Sequence, residues 1–467
     1  MSKYMLFLAA IAAGVLVCVL AATTDAAARP NIVIMLSDDQ RWDAVGSVQR
    51  KTQGRFPFFK SSTPNIDRIA AAGVWFNNAF AAESLCSPSR AAFLTGKYNH
   101  TNGIVNNTTE LPTATQTYAT LLRAAGYHTG YFGKWHMGQQ RARPGFDEYA
   151  SFVGQGQYFD CPLIVNGVNT PTTGWVDDVT TDYAVNFIQR SANQENPFLM
   201  IIGFKTPHGP WTPPDRTKQL FSTKEIDTPS NATSYPPYFV GPKPSTFGGK
   251  SFRDYFRAVA GMDQDVGRIL DALGAAGIAG NTFVVFASDN GWQMREHGAP
   301  SPVQTDGEKR SAYDASIRIP LFVRYPPLTA GGQRSGAAVQ NIDLAPTLLE
   351  IAGLPPRPDM QGKSWVPLLN GTATAVRSGI FYEYFREQGF IVPRIIAFRQ
   401  NGLKIIEYPD HPEYGKEFYD LSTDPWETNN RIDDPTVQSQ VQSMSLGLTN
   451  ATKKFGYQIP PRAGPQD

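Results

Sequence analysis

Residues Ile32-Val33-Ile34-Met35-Leu36 form an unbroken apolar run, too short for a helix and without polar alternation, which is the pattern of a strand covered on both faces. It stops at Ser37-Asp38-Asp39. Thr282-Phe283-Val284-Val285-Phe286-Ala287 repeats the pattern and stops at Ser288-Asp289-Asn290-Gly291. Two further strand-like runs end in cations: 127–132 leads to Gly133-Lys134-Trp135-His136, and 198–204 leads to Lys205-Thr206-Pro207-His208. Between the runs, 63–73 and 117–126 carry helix start and stop signals. Residues 254–273 predict a longer amphipathic helix, with Phe256, Val259, Val266, Ile269 and Leu270 near one face and Gly274 as its stop. A strand over 317–324 and a helix over 342–350 follow. Alternating strand and helix predicts an α/β domain with a largely parallel sheet. The Pro-rich segment 207–244 reads as a long surface loop beside the strand ends. After Gly371 the texture changes to short strands at 380–384, 394–399, 403–408 and 417–421, predicting a small antiparallel C-terminal subdomain.

One short helix stands apart. In Cys86-Ser87-Pro88-Ser89-Arg90-Ala91-Ala92-Phe93-Leu94-Thr95-Gly96, Ser87 suits the N-cap, Pro88 the first helical position and Gly96 a left-handed close. Cys86 then sits at a helix mouth, where free N–H groups and the macrodipole favour an anion, and Arg90 falls on the same face.

Composition narrows the partners. Forty-two basic residues against 41 acidic leave a net charge of +1 in 467 residues, which argues against nucleic acid or a polybasic membrane surface. The apolar run near the N-terminus, with Lys3 before it and small residues up to Ala28, reads as a cleaved signal peptide over 1–28, with an uncleaved anchor as the alternative. The expected protein is exported (periplasmic, secreted or lysosomal) and has no stable membrane insertion after cleavage. The expected division is a catalytic domain over 29–372 and a C-terminal subdomain over 373–467. Cys86 and Cys161 remain in the mature chain; a disulfide between them and a reactive Cys86 are both open.

In open α/β sheets, ligands bind beyond the C-terminal ends of the strands. Asp38, Asp39, Asp289 and Asn290 all follow such ends, and four hard oxygen donors suit Ca²⁺, with Mg²⁺ as second choice, better than zinc or copper. Either pair alone reads equally as turn chemistry. Lys134, His136, Lys205 and His208 fall on the same edge, and a basic stripe beside a metal is what a tetrahedral anionic group needs.

These residues resemble the formylglycine-dependent sulfatases of the alkaline phosphatase superfamily. Cys86-Ser87-Pro88-Ser89-Arg90 with Leu94-Thr95-Gly96 is similar to the family's first signature, and 126–136 to its second; Asp38-Asp39, Pro207-His208, Ser288-Asp289-Asn290-Gly291 and Lys309 follow in matching order. The likeness spans about residues 30–430 and implies an alkaline-phosphatase-like fold. It implies that a separate maturation enzyme converts Cys86 to formylglycine, whose hydrate bears the nucleophile and joins Asp38, Asp39, Asp289 and Asn290 as a metal ligand. It further implies that Asp289 takes the nucleophile's proton, Lys134 and Lys309 hold sulfate oxygens, Arg90 supports the diol, His208 acts as general acid and His136 as the base that expels sulfate. Lys309 by itself reads equally as a solvated loop lysine.

His297 is a candidate substrate contact, with a structural loop histidine as the alternative. Tyr158, Trp211 and Trp292 are candidate sugar-stacking rings, with loop packing as theirs. Together with segments 106–108 and 154–158, which look similar to exported glycan sulfatases, they point to a sulfated carbohydrate, including 6-O-sulfate of N-acetylglucosamine. A phosphonate or phosphodiester hydrolase using the same site, and a non-catalytic sulfoglycan-binding protein with unconverted Cys86, are the other readings.

Overall fold

The computed structural model describes residues 29–52, 54–239, 252–298 and 308–461; the expected signal peptide and the end of the 207–244 loop lie outside them. The strands are β1 (Asn31–Ser37), β2 (Val74–Phe80), β3 (His128–Lys134), β4 (Glu148–Phe152), β5 (Leu163–Val165), β6 (Val168–Thr170), β7 (Phe198–Gly203), β8 (Thr282–Ser288), β9 (Leu321–Arg324) and β10 (Gln333–Gln340). Among the described residues these ten make one sheet in the order β10-β2-β9-β8-β1-β7-β3-β4-β5-β6. Its centre, β8-β1-β7-β3, is parallel throughout, as the continuous apolar runs predict. β9 runs antiparallel to both β2 and β8.

Both faces of β1 are covered, so alternate residues of one apolar run enter different cores. Val33 and Met35 join Phe132, Met200, Val284 and Phe286 against the helices Val176–Ser191 and Arg253–Ala275. Ile32, Ile34 and Leu36 join Leu199, Ile201, Phe283 and Val285 against the helices Cys86–Thr95, Tyr118–Ala124 and Leu344–Ile351. Each such aliphatic side chain contributes about 1.5–3 kcal/mol through burial.

Register carries the functional consequence. Ser37 pairs with Ser288, Leu36 with Gly203, and Gly203 with Gly133, so the four central strands end at nearly one level. The residues that follow them emerge side by side. Gly133 permits the closest approach: its φ is 82, and a Cβ there would lie 2.1 Å from the Gly203 carbonyl oxygen. Gly133→Ala is therefore expected to push β3 from β7 directly beside Lys134. A lowered melting temperature together with at least tenfold lower turnover is the predicted result, checked by calorimetry and kinetics on the same preparation.

The C-terminal region is the expected antiparallel sheet, β11 (Ile380–Tyr384), β12 (Ile395–Gln400), β13 (Leu403–Glu407) and β14 (Lys416–Asp420), in sequential order. The helix Gln438–Phe455 packs Val441, Met444 and Leu448 onto its Phe398 and Ile405 face. The other face sets Tyr382 and Tyr384 against Phe80 and Leu85 of the main body.

Two expectations change, and β2 and β10 are among the strands that lie outside the predicted set. Gly274 lies inside the long helix, which runs to Ala275, and Gly277 at φ 69 takes the left-handed turn. The expected strand over 317–324 divides into a helical turn, Asp314–Ile317, and β9, because Pro320 has no N–H for a helix or a ladder. β2 and β10 escape the hydrophobic pattern because Asn77 and Asn78 interrupt one, while Gln333, Arg334 and Ser335 open the other at the sheet's edge.

Candidate active site

The mouth of the helix Cys86–Thr95 is built largely by distant residues. Leu85, not Ser87, occupies the N-cap and gives no side-chain cap, because its burial beside Phe80, Tyr382 and Tyr384 anchors the chain one turn position earlier. Ser87 instead donates its hydroxyl to the His136 carbonyl, and its N–H donates to Asn107 Oδ1 at 3.0 Å. That bond satisfies one of the helix's otherwise orphaned donors. Gly96 closes the far end at φ 67, as expected.

Cys86 is fully buried, with Lys309 Nζ at 3.0 Å, Asp38 Oδ1 at 3.5 Å and Lys134 Nζ at 3.8 Å from its sulfur. Neither Cys86 nor Cys161 forms a disulfide among the described residues. Burial pushes the Cys86 thiol up to about 12, against the pull of Lys134 and Lys309. Burial thus works against a thiolate at the helix mouth, while the two nearby cations work for it.

Asp38, Asp39 and Asp289 bring carboxylate oxygens within 4.8 Å of one another. Asp39 turns into this cage at φ 64; its N–H donates to Asp289 Oδ1 at 3.0 Å, and its Oδ1 accepts from Asn290 Nδ2 and Lys309 Nζ, each at 2.7 Å. Asp39 Oδ2 and Asn290 Oδ1 are buried without hydrogen-bond partners among the described residues. Buried, unsatisfied hard oxygens in a carboxylate cluster fit a divalent cation such as Ca²⁺. Burial opposes ionisation of Asp38, yet Lys134, His208, Arg90 and Lys309 outweigh it and hold the carboxyl well below its usual range. Burial and the Asp38 charge push Asp289 up to about 7, although Arg90 Nε donates to its Oδ2 at 2.9 Å.

Lys134 pairs with Asp38 and donates to Gln155 Oε1 at 2.6 Å. Lys309 is buried between Asp39 and Cys86, which replaces its reading as a solvated loop residue. His208 points Nε2 toward Asp39 Oδ2 at 3.7 Å, and its Nδ1 donates to the Gly209 carbonyl at 2.7 Å. Burial, with Lys134, lowers His208 to about 3. His136, at φ 52, keeps a buried Nδ1 without a hydrogen-bond partner among the described residues, and burial and Lys134 hold it well below its ordinary value.

Of the four candidate substrate contacts, His297 and Tyr158 are engaged within the protein. Both His297 nitrogens are used within the protein, Nδ1 with Ser234 O at 2.8 Å and Nε2 with Asn231 Nδ2 at 3.1 Å, and its ring stacks on Tyr313 at 3.6 Å. Tyr158 is buried, donates its hydroxyl to the His208 carbonyl at 2.7 Å, and has the Lys205 ammonium 5.0 Å from its ring centroid. It braces the histidine loop instead of offering a face to sugar. Trp211 and Trp292 pack edge to face at 6.4 Å, with Trp211 also against Phe252 and Tyr255. Trp211 stays half-buried, and the Trp292 ring centroid lies 5.8 Å from Lys309 Nζ.

Sequence reasoning missed the supporting residues. Gln155 reaches Lys134 from between Gly154 and Gly156, both at φ 59, and its carbonyl accepts from Lys205 Nζ at 2.9 Å. Asp177 accepts from the Lys205 and Thr206 N–H groups at 2.8 and 3.1 Å, fixing the loop that carries His208. The glycine pair was the visible signal for the first; nothing local marks the second.

Comparison with known proteins agrees with this arrangement. Residues 30–354 match the family model described as Sulfatase, and 307–454 match the model described as N-sulphoglucosamine sulphohydrolase, C-terminal. The chain is 29% identical to an N-acetylglucosamine-6-O-sulfatase of Bacteroides thetaiotaomicron, over 86% of this chain and 82% of that protein. It is 28% identical to an ulvan-active sulfatase of Formosa agariphila, over 94% of this chain and 84% of that one. A solved structure of a protein in complex with its substrate D-glucosamine-2-N,6-O-disulfate superposes with a TM-score of 0.80 at 28% identity, covering 93% of this chain and 99% of that chain.

Proposed function

The chain belongs to the sulfatase family and is a sulfuric ester hydrolase, and we propose that it removes sulfate from a sulfated carbohydrate, with the 6-O-sulfate of an N-acetylglucosamine-type sugar as the preferred group. The observation that carries the site assignment is Cys86 Sγ, lying 3.0 Å from Lys309 and 3.5 Å from Asp38 at a helix mouth. The sugar assignment is supported by the relatives that are N-acetylglucosamine-6-O-sulfatase and the glucosamine disulfate complex.

Formylglycine at position 86, made by a separate maturation enzyme, would supply a hydrate hydroxyl as nucleophile, and a cation held by Asp38, Asp39, Asp289 and Asn290 would supply Lewis-acid charge beside it. The chain's own residues do the rest. Lys134 and Lys309 hold sulfate oxygens, neutralising charge that grows toward the leaving group. Arg90 steadies the hydrate from the adjacent turn of the helix, and Asp289 takes a proton at Oδ1 or Oδ2. His136, neutral and with a free lone pair, serves as the base for sulfate release. His208 donates a proton from Nε2 to the leaving sugar oxygen; a bound anionic sulfate offsets Lys134 and Lys309 and restores the proton that burial removes. We read the apolar run before Ala28 as an export leader from its sequence pattern; among the described residues no helix is long and apolar enough to cross a membrane.

His208→Ala tests the acid. Turnover of a sugar sulfate, whose alcohol is a poor leaving group, should fall about 10²–10⁴-fold, while nitrophenyl sulfate should lose less than about tenfold. Equal losses on both would remove His208 from that role. The substrate class is tested by parallel kinetics on 6-O-sulfated N-acetylglucosamine, other sulfated sugars and phosphonate esters. A preference for the phosphorus esters would overturn the proposal.

A further inference from the structure

Lys309 lies in a loop and Cys86 opens the helix Cys86–Thr95, and their side chains meet at 3.0 Å with no backbone hydrogen bond between the two residues among the described residues, so other groups must hold them in register. The residue after Lys309 is tightly held. Arg310 sits at φ 76, donates its N–H to the Ser84 carbonyl at 3.0 Å, and accepts from the Tyr382 hydroxyl at 3.0 Å. Its guanidinium meets Glu387 Oε2 at 2.7 Å and lies 3.7 Å from the Phe390 ring centroid. The other oxygen of the same carboxylate, Glu387 Oε1, accepts the Asn107 N–H at 3.0 Å. Asn107 Oδ1 in turn caps the Ser87 N–H, next to Cys86. Glu387 and Arg310 are both buried, and Glu387 lies just past β11, in the C-terminal region.

We infer that Glu387 is a positioning residue that sets the separation between Lys309 and residue 86, one oxygen acting through Arg310 on the lysine and the other through Asn107 on the helix mouth. The C-terminal sheet thereby completes the active site without touching substrate. A carboxylate suits both duties: it accepts from a guanidinium through one oxygen and from a backbone N–H through the other, where an amide has a single acceptor oxygen and would keep one contact while setting its NH2 against the other donor. This inference rests on the sulfatase reading for its assay, because a misplacement of about 1 Å at reacting groups costs up to about 10²-fold in rate.

The test compares Glu387→Ala and the nearly isosteric Glu387→Gln with the wild type on an aryl sulfate. The expected result is a kcat about 30- to 100-fold lower for Ala and intermediate for Gln, with KM within about threefold in both, since the lost element is alignment and not binding. Lys309→Ala provides the second arm. If Glu387 acts chiefly through Lys309, adding Glu387→Ala to Lys309→Ala should cost less than about threefold more, whereas independent effects multiply. Hydrogen exchange should rise together in the peptides holding Ser87 and Arg310 and stay unchanged in β13. Wild-type kcat in Glu387→Gln, full multiplication in the double variant, or unchanged exchange in both peptides would each overturn the inference. Should the Ala variant not fold, the Gln variant decides. An inactive wild type would instead count against the sulfatase assay, leaving the exchange result to judge Glu387.

Discussion

Cys86→Ala is expected to abolish sulfate ester hydrolysis, with a loss of at least about 10⁴-fold in kcat, the scale seen when a covalent nucleophile is removed. The fold should survive. Leu85 and Asn107 define the helix mouth, and Cys86 belongs to no hydrophobic cluster among the described residues, its sulfur lying beside Asp38, Lys134 and Lys309. The melting temperature is expected to stay within a few degrees of wild type. The variant separates two uses of the same atom. Burial raises the Cys86 thiol and disfavours the thiolate, which accords with turnover through the aldehyde form. Mass spectrometry of the peptide containing Cys86 reads that conversion directly, as the replacement of the CH2–SH side chain by an aldehyde, with loss of sulfur and two hydrogens and gain of one oxygen. An active alanine variant, or an active enzyme whose position 86 is wholly thiol, would refute the nucleophile assignment.

Chelation is the second large effect. Removing divalent cations should lower turnover by about 10³-fold, matching several kcal/mol of charge stabilisation in the transition state, and added Ca²⁺ should restore it. Stability should move in the same direction. A cation that binds only the folded protein at a hundred times its dissociation constant adds about 2.7 kcal/mol, so the melting temperature should climb with Ca²⁺. Asp39→Ala should remove both responses, because it deletes the buried Oδ2 that has no hydrogen-bond partner among the described residues. A chelated enzyme with full activity, or a melting temperature indifferent to Ca²⁺ in the wild type, would exclude the cage as a metal site.

The legible parts of this protein were those encoded by short runs. Four apolar strands ending in Asp38-Asp39, Asp289-Asn290, Lys134 and the Lys205–His208 turn announced both the sheet and its functional edge, since a strand buried on both faces leaves polar residues only where it ends. Two of the ring candidates, Tyr158 and His297, misled for an equally physical reason. Tyr158, Trp211, Trp292 and His297 carry large faces that serve a loop core or a sugar equally well, and nothing local says which. Residues acting at long range were silent: Glu387 lies 280 positions from Asn107 and 77 from Arg310, so no spacing rule could join them.

The sequence alone therefore determined the class of fold, the edge of the sheet that bears chemistry and the residue types gathered there, because strand periodicity and strand ends are local properties. Only the tertiary structure decided that Ser37 meets Ser288 in register, that Lys309 is buried against Cys86, and that the C-terminal sheet braces both sides of the site. Those facts depend on which surfaces pack together, and packing is settled by the whole chain's burial and hydrogen-bond satisfaction at once.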